Sequence, residues 1–247
     1  MEIVGALIAG CAIGAVLGFV GAGGAMLTVP ILVYGFEYPA HQASVAAIAV
    51  VIVAASSGLY PRYKSGDLLV KEALIISGIG IFANIPAAQL VRNLSDEVLI
   101  TGFSLVIIFA GLTMLRKPVL APEKPIPLPA LILLSLVIGS LTGLFGIGGG
   151  FLAIPVLVLA FNTPQNKAAG TSLLIIVLNS CIALLAHFSA WAEINWIIPL
   201  FMGLSAVVIG NLAGKRSANT NPAVLRKSFA ALLFTIAAFT LIETWLL

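Results

Sequence analysis

The chain breaks the same way twice. Two apolar runs, Ile3 to Val20 and Ala130 to Phe145, each end in a glycine cluster. The first is Gly21-Ala22-Gly23-Gly24 and the second Gly146-Ile147-Gly148-Gly149-Gly150. Each run then resumes as a short apolar piece, Ala25 to Phe36 and Phe151 to Phe161. Pieces of about 12 residues are too short to cross a bilayer upright, which takes about 20. Irregular backbone between apolar segments survives at membrane depth only where protein buries it or where it lines a wet cavity. Only 9% of the residues are charged and 61% are hydrophobic. A soluble domain carries about 25% charged residues, so these runs have no soluble fold in which to hide. Disorder is excluded too, since it needs low hydrophobicity and high charge. The fold class is an all-α polytopic membrane protein.

Six further runs read as spans: Ala40 to Tyr60, Glu72 to Val91, Val98 to Leu115, Ala168 to Ala190, Ile194 to Ala213 and Ala223 to Leu247. Arg62 to Lys71 reads as a polar loop, and Arg116 to Pro129 as a linker, because Pro118, Pro122, Pro125, Pro127 and Pro129 cannot continue a helix. The pattern restarts after the linker. Shifting the sequence by 125 residues lays Gly14, Gly18, Gly21, Gly23, Gly24, Leu27 and Pro30 on Gly139, Gly143, Gly146, Gly148, Gly149, Leu152 and Pro155, seven identities in seventeen positions. Phe36, Pro39 and Ala43 fall on Phe161, Pro164 and Ala168. The expected organisation is a first transmembrane repeat at 1–115, a cytoplasmic linker at 116–129 and a second repeat at 130–247. Each repeat holds a glycine-broken hairpin plus three spans.

Charge placement sets the relation between the repeats. Loop 62–71 carries Arg62, Lys64 and Lys71, whereas its repeat equivalent, Trp191-Ala192-Glu193-Ile194-Asn195, has no basic residue. Loop 92–97 carries one basic residue and two acids, whereas its equivalent region carries Lys215, Arg216, Arg226 and Lys227. Basic loops stay cytoplasmic, so equivalent loops lie on opposite sides and the repeats have inverted topology. A path with both termini outside puts every basic residue but Arg92 inside. Trp191, Trp196 and Trp245 then fall near the outer interface, as an aromatic belt.

The glycine turns are the sharpest candidate site. Gly21, Gly23, Gly24, Gly146, Gly148, Gly149 and Gly150 leave backbone N–H groups exposed where Ala25 and Phe151 open the following pieces. Helix N-termini carry free donors and a positive dipole end, and two of them meeting near the midplane would hold an anion without a buried cation. Gly10, Gly14, Gly18, Gly139 and Gly143 have the small-xxx-small spacing of helix packing instead. Ser44 lies opposite Ala169 in the repeat alignment, beside Thr171 and Ser172 in the second copy. Their hydroxyls have two open uses, donating to a substrate or satisfying backbone. Pro30, Pro155, Pro86 and Asn211 read as sites of helix irregularity. His41, near a helix start, is a candidate for proton linkage. Cys11 and Cys181 read as small packing residues rather than a disulfide or metal pair. No acid falls clearly mid-span, which disfavours a carboxylate relay or a cation pathway. No zinc motif, phosphate-binding loop or serine–histidine–acid set appears, so no enzyme, metal or cofactor is expected, and no nucleic-acid partner.

Gly21-Ala-Gly-Gly-Ala-Met-Leu-Thr-Val-Pro30, and more closely Gly146-Ile-Gly-Gly-Gly-Phe-Leu-Ala-Ile-Pro155 followed by Ala169-Gly-Thr-Ser-Leu173, resemble the sulfite exporter family named for TauE and SafE, the TSUP permeases. The resemblance covers essentially the whole chain. In the first half Ser44-Val45-Ala46-Ala47 departs from the Gly-Thr-Ser pattern, so the halves contribute unequally. The resemblance implies a secondary transporter of a small sulfur-containing anion, such as sulfite or an organosulfonate, in the bacterial cytoplasmic membrane. Export by alternating access is the expectation, with a proton or sodium ion as candidate coupling ion. The alternative is an ion-coupled importer of another small organic anion. The partners expected are the anionic substrate and the lipid bilayer; the oligomeric state is open.

Overall fold

A computed structural model describes residues 2–91, 96–115, 126–145, 150–186 and 188–246. Among them every regular element is helical. Helix α1 spans Glu2–Val20, α2 Gly24–Pro30, α3 Ala40–Lys64, α4 Val70–Val91 and α5 Asp96–Leu115. Helix α6 spans Leu128–Phe145, α7 Gly150–Phe161, α8 Gln165–Ala186, α9 Ile197–Ala218 and α10 Pro222–Leu246. Six of these (α1, α3, α4, α8, α9 and α10) are long and apolar enough to cross a membrane, and α5 and α6 add the apolar stretches Thr101–Leu115 and Leu128–Thr142. Exposed Ile8, Phe82, Phe109, Leu133, Leu185 and Leu204 fit a surface that faces lipid.

Proline shapes the short pieces unequally. Pro30 ends α2, and the chain continues as a π turn over Ile31–Gly35. A proline ring clashes with the carbonyl four residues back and removes a donor, which suits its place at the end of α2. The other expected irregularities do not interrupt their helices. Helix α7 runs through Pro155, α4 through Pro86 and α9 through Asn211. A membrane helix tolerates proline because neighbouring helices and local adjustments satisfy the freed carbonyl. The expected linker falls mostly outside the described residues.

The 125-residue repeat is written into the backbone. Glu37 has φ 57° and Asn162 φ 53°, each ending a short piece in left-handed conformation. After them Tyr38 N–H donates to the Leu32 carbonyl at 3.0 Å and Thr163 N–H to that of Leu157 at 3.0 Å. Ala43 N–H donates to Pro39 at 2.9 Å and Ala168 N–H to Pro164 at 3.0 Å as the next helices begin.

Packing follows the small-residue stripes. Gly10, Gly14 and Gly18 of α1 lie against Met202 with Ser205, Ala206, and Gly210 of α9, so the two helices run parallel with their backbones touching. Gly139 of α6 meets Gly80 of α4 in the same way. That contact is the repeat image of Gly14 against Ala206 to within one residue. Gly58 and Gly214 bring α3 parallel to α9. Helices α3 and α8 run antiparallel, with Gly58 near Leu173 and Arg62 near Gly170. So do α5 and α10, where the Ser104 and Thr240 hydroxyls lie 2.9 Å apart and Gly111 meets Phe234. Two apolar cores result. One is built by α1, Leu32 of the π turn, α3 and α9, the other by α4–α7 and α10. Helix α8 feeds both, with Leu173 and Ile176 in the first and Ala168, Ala169 and Ile175 in the second.

Candidate functional site

The first glycine turn is left-handed twice. Gly21 has φ 85° and Gly23 φ 89°, a region L side chains enter only at a cost. Gly23 caps α2 with no side-chain hydrogen bond. Thr28, fully buried, ties the turn from below by donating to the Gly24 carbonyl at 2.7 Å. Gly21 packs against Ala169 of α8. In the second turn Gly146, Gly148 and Gly149 lie outside the described residues. Gly150 packs against Ile176 and the Ser172 carbonyl of the same helix α8. Gly21 of the first turn and Gly150, where α7 starts, therefore both lie against α8 between Ala169 and Ile176, about 10 Å of helix rise. Ala25 and Phe151 stand second in α2 and α7.

The hydroxyls of α8 are engaged. Ser172, fully buried, donates to the Gly150 carbonyl at 2.7 Å and holds the second turn. Thr171 donates to the Lys167 carbonyl at 2.7 Å and accepts from Leu69 N–H at 3.0 Å, tying the α3–α4 loop to α8. Of the two uses open to these residues, the geometry displays backbone satisfaction. Ser44 is not brought to them. It is exposed near the start of α3, fourteen residues and roughly 21 Å of rise from Gly58, where α3 meets α8. His41 is the second residue of α3, and its side chain lies outside the described structure. Cys11 and Cys181 are both free.

The chief residue that the sequence reading missed is Arg62. Placed in a polar loop, it is in fact within α3, which continues to Lys64, and it is 0% exposed. Its Nη2 donates to the Gly18 and Phe19 carbonyls at 3.3 Å each and to Ser217 Oγ at 2.6 Å, and its Nη1 to the Asn166 carbonyl at 3.0 Å. Ser217 in turn donates to the Phe19 carbonyl at 2.6 Å. Gly18 and Phe19 end α1, where carbonyls lack helical partners and the dipole is negative; a planar fork of donors matches that need. Arg62 thus caps the broken helix just before its glycine turn. The signal for it was helical spacing, since Ala54, Ala55, Gly58 and Arg62 form one buried stripe of α3. Nearby, burial raises the Asp67 carboxyl above its ordinary pKa, opposed by the charges of Arg62 and Lys167.

One end of the bundle thus gathers Arg62, Lys64, Lys167, Lys215 and Arg216, where α3 and α9 finish and α8 starts. The other end holds Tyr38, whose hydroxyl donates to the Asn195 carbonyl at 2.5 Å, with Trp191 and Trp196 linked edge to face. An open cleft lined by Val53, Trp196, Leu200 and Leu204 is apolar and offers an anion no donor.

The family model for the sulfite exporter TauE/SafE matches residues 6–240. The chain belongs to that family of multi-pass membrane transporters. It is 26% identical to a probable membrane transporter protein of Xylella fastidiosa (strain Temecula1) over 245 residues, covering 94% of this chain and 92% of that one. It is 26% identical to the probable membrane transporter protein YdhB of Bacillus subtilis, over 93% of this chain and 96% of that one. A probable membrane transporter protein of Methanocaldococcus jannaschii is 35% identical over 118 residues, 45% of this chain. No solved structure matches. Family membership carries the expectation of a transporter rather than an enzyme.

Proposed function

We propose that this protein is a secondary transporter that exports a small sulfur-containing anion, sulfite or an organosulfonate, across the bacterial cytoplasmic membrane by alternating access. The observation that carries the reading is the packing of Gly21 and Gly150, one from each glycine cluster, against the same stretch of α8, in a chain whose family is that of a sulfite exporter. In this reading the anion sits where those turns meet, held by N–H donors at the starts of α2 and α7. The two halves are inverted repeats. Supporting this, α3 runs antiparallel to its repeat equivalent α8, and α5 to α10. The basic end of the bundle is cytoplasmic and both termini are outside, in line with the preference of Lys and Arg for that side. A proton or sodium ion supplies the driving force.

The test is counterflow in proteoliposomes with sulfite, taurine, sulfoacetate, sulfate and acetate as competing anions. Sulfur oxyanions should exchange, and Gly148→Leu with Gly149→Leu should abolish exchange while the protein remains monodisperse. Exchange of acetate alone, or full activity in the double variant, would defeat the substrate or the site respectively. Imposed proton and sodium gradients in the same vesicles identify the coupling ion.

A further inference from the structure

The turn between α7 and α8 contains two polar side chains that the fold leaves unanswered. Thr163 is 2% exposed and Gln165 4% exposed. Thr163 Oγ1, Gln165 Nε2 and Gln165 Oε1 are all buried without a hydrogen-bond partner. A primary amide has two donors and two lone pairs to satisfy, and each buried polar group left unmet is a direct loss of stability. Such groups in a native protein call for an explanation.

The repeat supplies an internal control. The same turn occurs between α2 and α3, with the same left-handed residue and the same two backbone bonds. There the equivalents of Thr163 and Gln165 are Tyr38 and Ala40. Tyr38 has its hydroxyl bonded to Asn195, and Ala40 has nothing to bond. The turn therefore folds without an unmet hydroxyl or amide, and their presence in the second copy serves something other than the turn. Their surroundings indicate what. Gln165 opens the 22-residue helix α8, whose first N–H groups precede the first helical bond, donated by Ala168 N–H to the Pro164 carbonyl. Arg62 donates to the carbonyl of the adjacent Asn166, and Lys167 follows. A buried amide and hydroxyl beside a helix N-terminus and a buried guanidinium suit the oxygens of a small anion.

We propose that Thr163 and Gln165 form a second anion subsite at the basic end of the bundle. It receives the oxygens of the transported anion on its way between that side and the glycine turns, about one to three helical turns further along α8. The inference rests on the reading of the protein as an anion transporter. It also makes the site asymmetric, since the first half has no counterpart.

The experiment uses the near-isosteric variants Gln165→Leu and Thr163→Val in the full-length protein. Thermal unfolding in detergent is followed with and without sulfite, methanesulfonate or sulfate at constant ionic strength, alongside flux in proteoliposomes. A binding role predicts that the anion-free variants melt at or above the wild-type temperature, because an unmet polar group has been removed. It also predicts that the anion-induced rise in melting temperature shrinks and that KM increases roughly tenfold to a hundredfold in each variant, the loss of one hydrogen bond to a charge. Variants that melt several degrees lower without anion would show these side chains to be structural and overturn the subsite. Unchanged KM and an unchanged anion shift would mean that water alone fills it, which overturns the subsite as well. In both cases wild-type flux leaves the transporter reading standing. A wild-type protein that neither moves nor is stabilised by any of the three anions refutes that reading, and the subsite with it.

Discussion

Replacing Arg62 by methionine separates two uses of a basic residue at the end of a membrane helix. If Arg62 were a topological charge in headgroup water, its loss would shift stability by no more than about 0.5 kcal/mol, the usual effect of a surface substitution. The structure puts it under full burial with four acceptors. Methionine fills much of the stem but removes all four bonds. The Phe19 carbonyl keeps Ser217 as a donor and the Asn166 carbonyl, in the first turn of α8, keeps its helical partner, whereas the Gly18 carbonyl at the end of α1 loses the side-chain donor seen here. The unmet buried Gly18 acceptor costs about 1–3 kcal/mol, and the lost charge-assisted bond to Asn166 about 1.5–3 kcal/mol. Part is returned because a charge no longer has to be desolvated, which leaves a net loss of roughly 3 kcal/mol. For a chain of this size each kcal/mol moves the melting temperature by about 2–4 °C, so Arg62→Met should melt roughly 6–12 °C lower. Arg62→Lys should recover less than half of that, because an ammonium cannot span the forked acceptors. The assay is thermal unfolding in detergent followed by size-exclusion fluorescence. A melting temperature within about 2 °C of wild type for Arg62→Met would refute the clamp and restore the loop reading.

Three other substitutions probe the repeat. Gly14→Ala puts a Cβ at 2.5 Å from the Ala206 carbonyl oxygen and 2.8 Å from its Cα, so the α1–α9 seam must open; a loss of about 1–3 kcal/mol should appear as a lower melting temperature and poorer monodispersity. Ser172→Ala removes the hydroxyl that holds the Gly150 carbonyl. It should cost about 1 kcal/mol in stability and lower flux by a larger factor than that small loss accounts for, measured in proteoliposomes. Glu37→Asn gives the first turn the residue used at the equivalent position of the second. Asparagine enters the left-handed region more readily than glutamate, so the variant should unfold at a slightly higher temperature, a gain of about 0.5–1 kcal/mol.

What the sequence displays and what it conceals follow from the kind of force involved. The spans and the glycine breaks are readable because apolar run length and glycine content act locally. The 125-residue repeat is readable for the same reason, and Phe36, Pro39 and Ala43 mark the turn that recurs at Phe161, Pro164 and Ala168. The left-handed residue inside that turn is visible as Asn162 but hidden as Glu37, since glutamate carries no such preference. The glycine stripe of α1 announces close packing without naming its partner, because α9 presents Met202, Ala206 and Gly210 from 192 residues away. Arg62 is concealed by its own charge. A basic residue at the edge of an apolar run reads as a cytoplasmic loop, and only the buried stripe Ala54, Ala55 and Gly58 beneath it betrays the helix continuing.

Alternating access, as proposed above, would be constrained by the pattern of contacts. The two halves of the sequence are interleaved, α1 with α9 and α6 with α4, along seams where backbone meets backbone at glycine. A motion that separated the sequence halves would strip both seams at once. A motion that spares them would move α1–α3 with α9 against α4 with α6–α8, leaving the antiparallel pair α5 and α10 outside both bodies. Repeat exchange relates these two bodies, and they meet along α3 and α8. Arg62 of α3 makes three of its four hydrogen bonds within the first body, to Gly18, Phe19 and Ser217. Only the bond to Asn166 of α8 crosses to the second. The Leu69–Thr171 bond ties the α3–α4 loop to α8 at the same end. One charged and one neutral hydrogen bond together amount to roughly 2–4 kcal/mol. A difference of that size between two conformations is within the coupling range typical of ligand-driven switches. Under the alternating-access proposal, Arg62 would combine a cap on the broken helix with one tie across the boundary between these bodies, to the helix against which Gly21 and Gly150 pack.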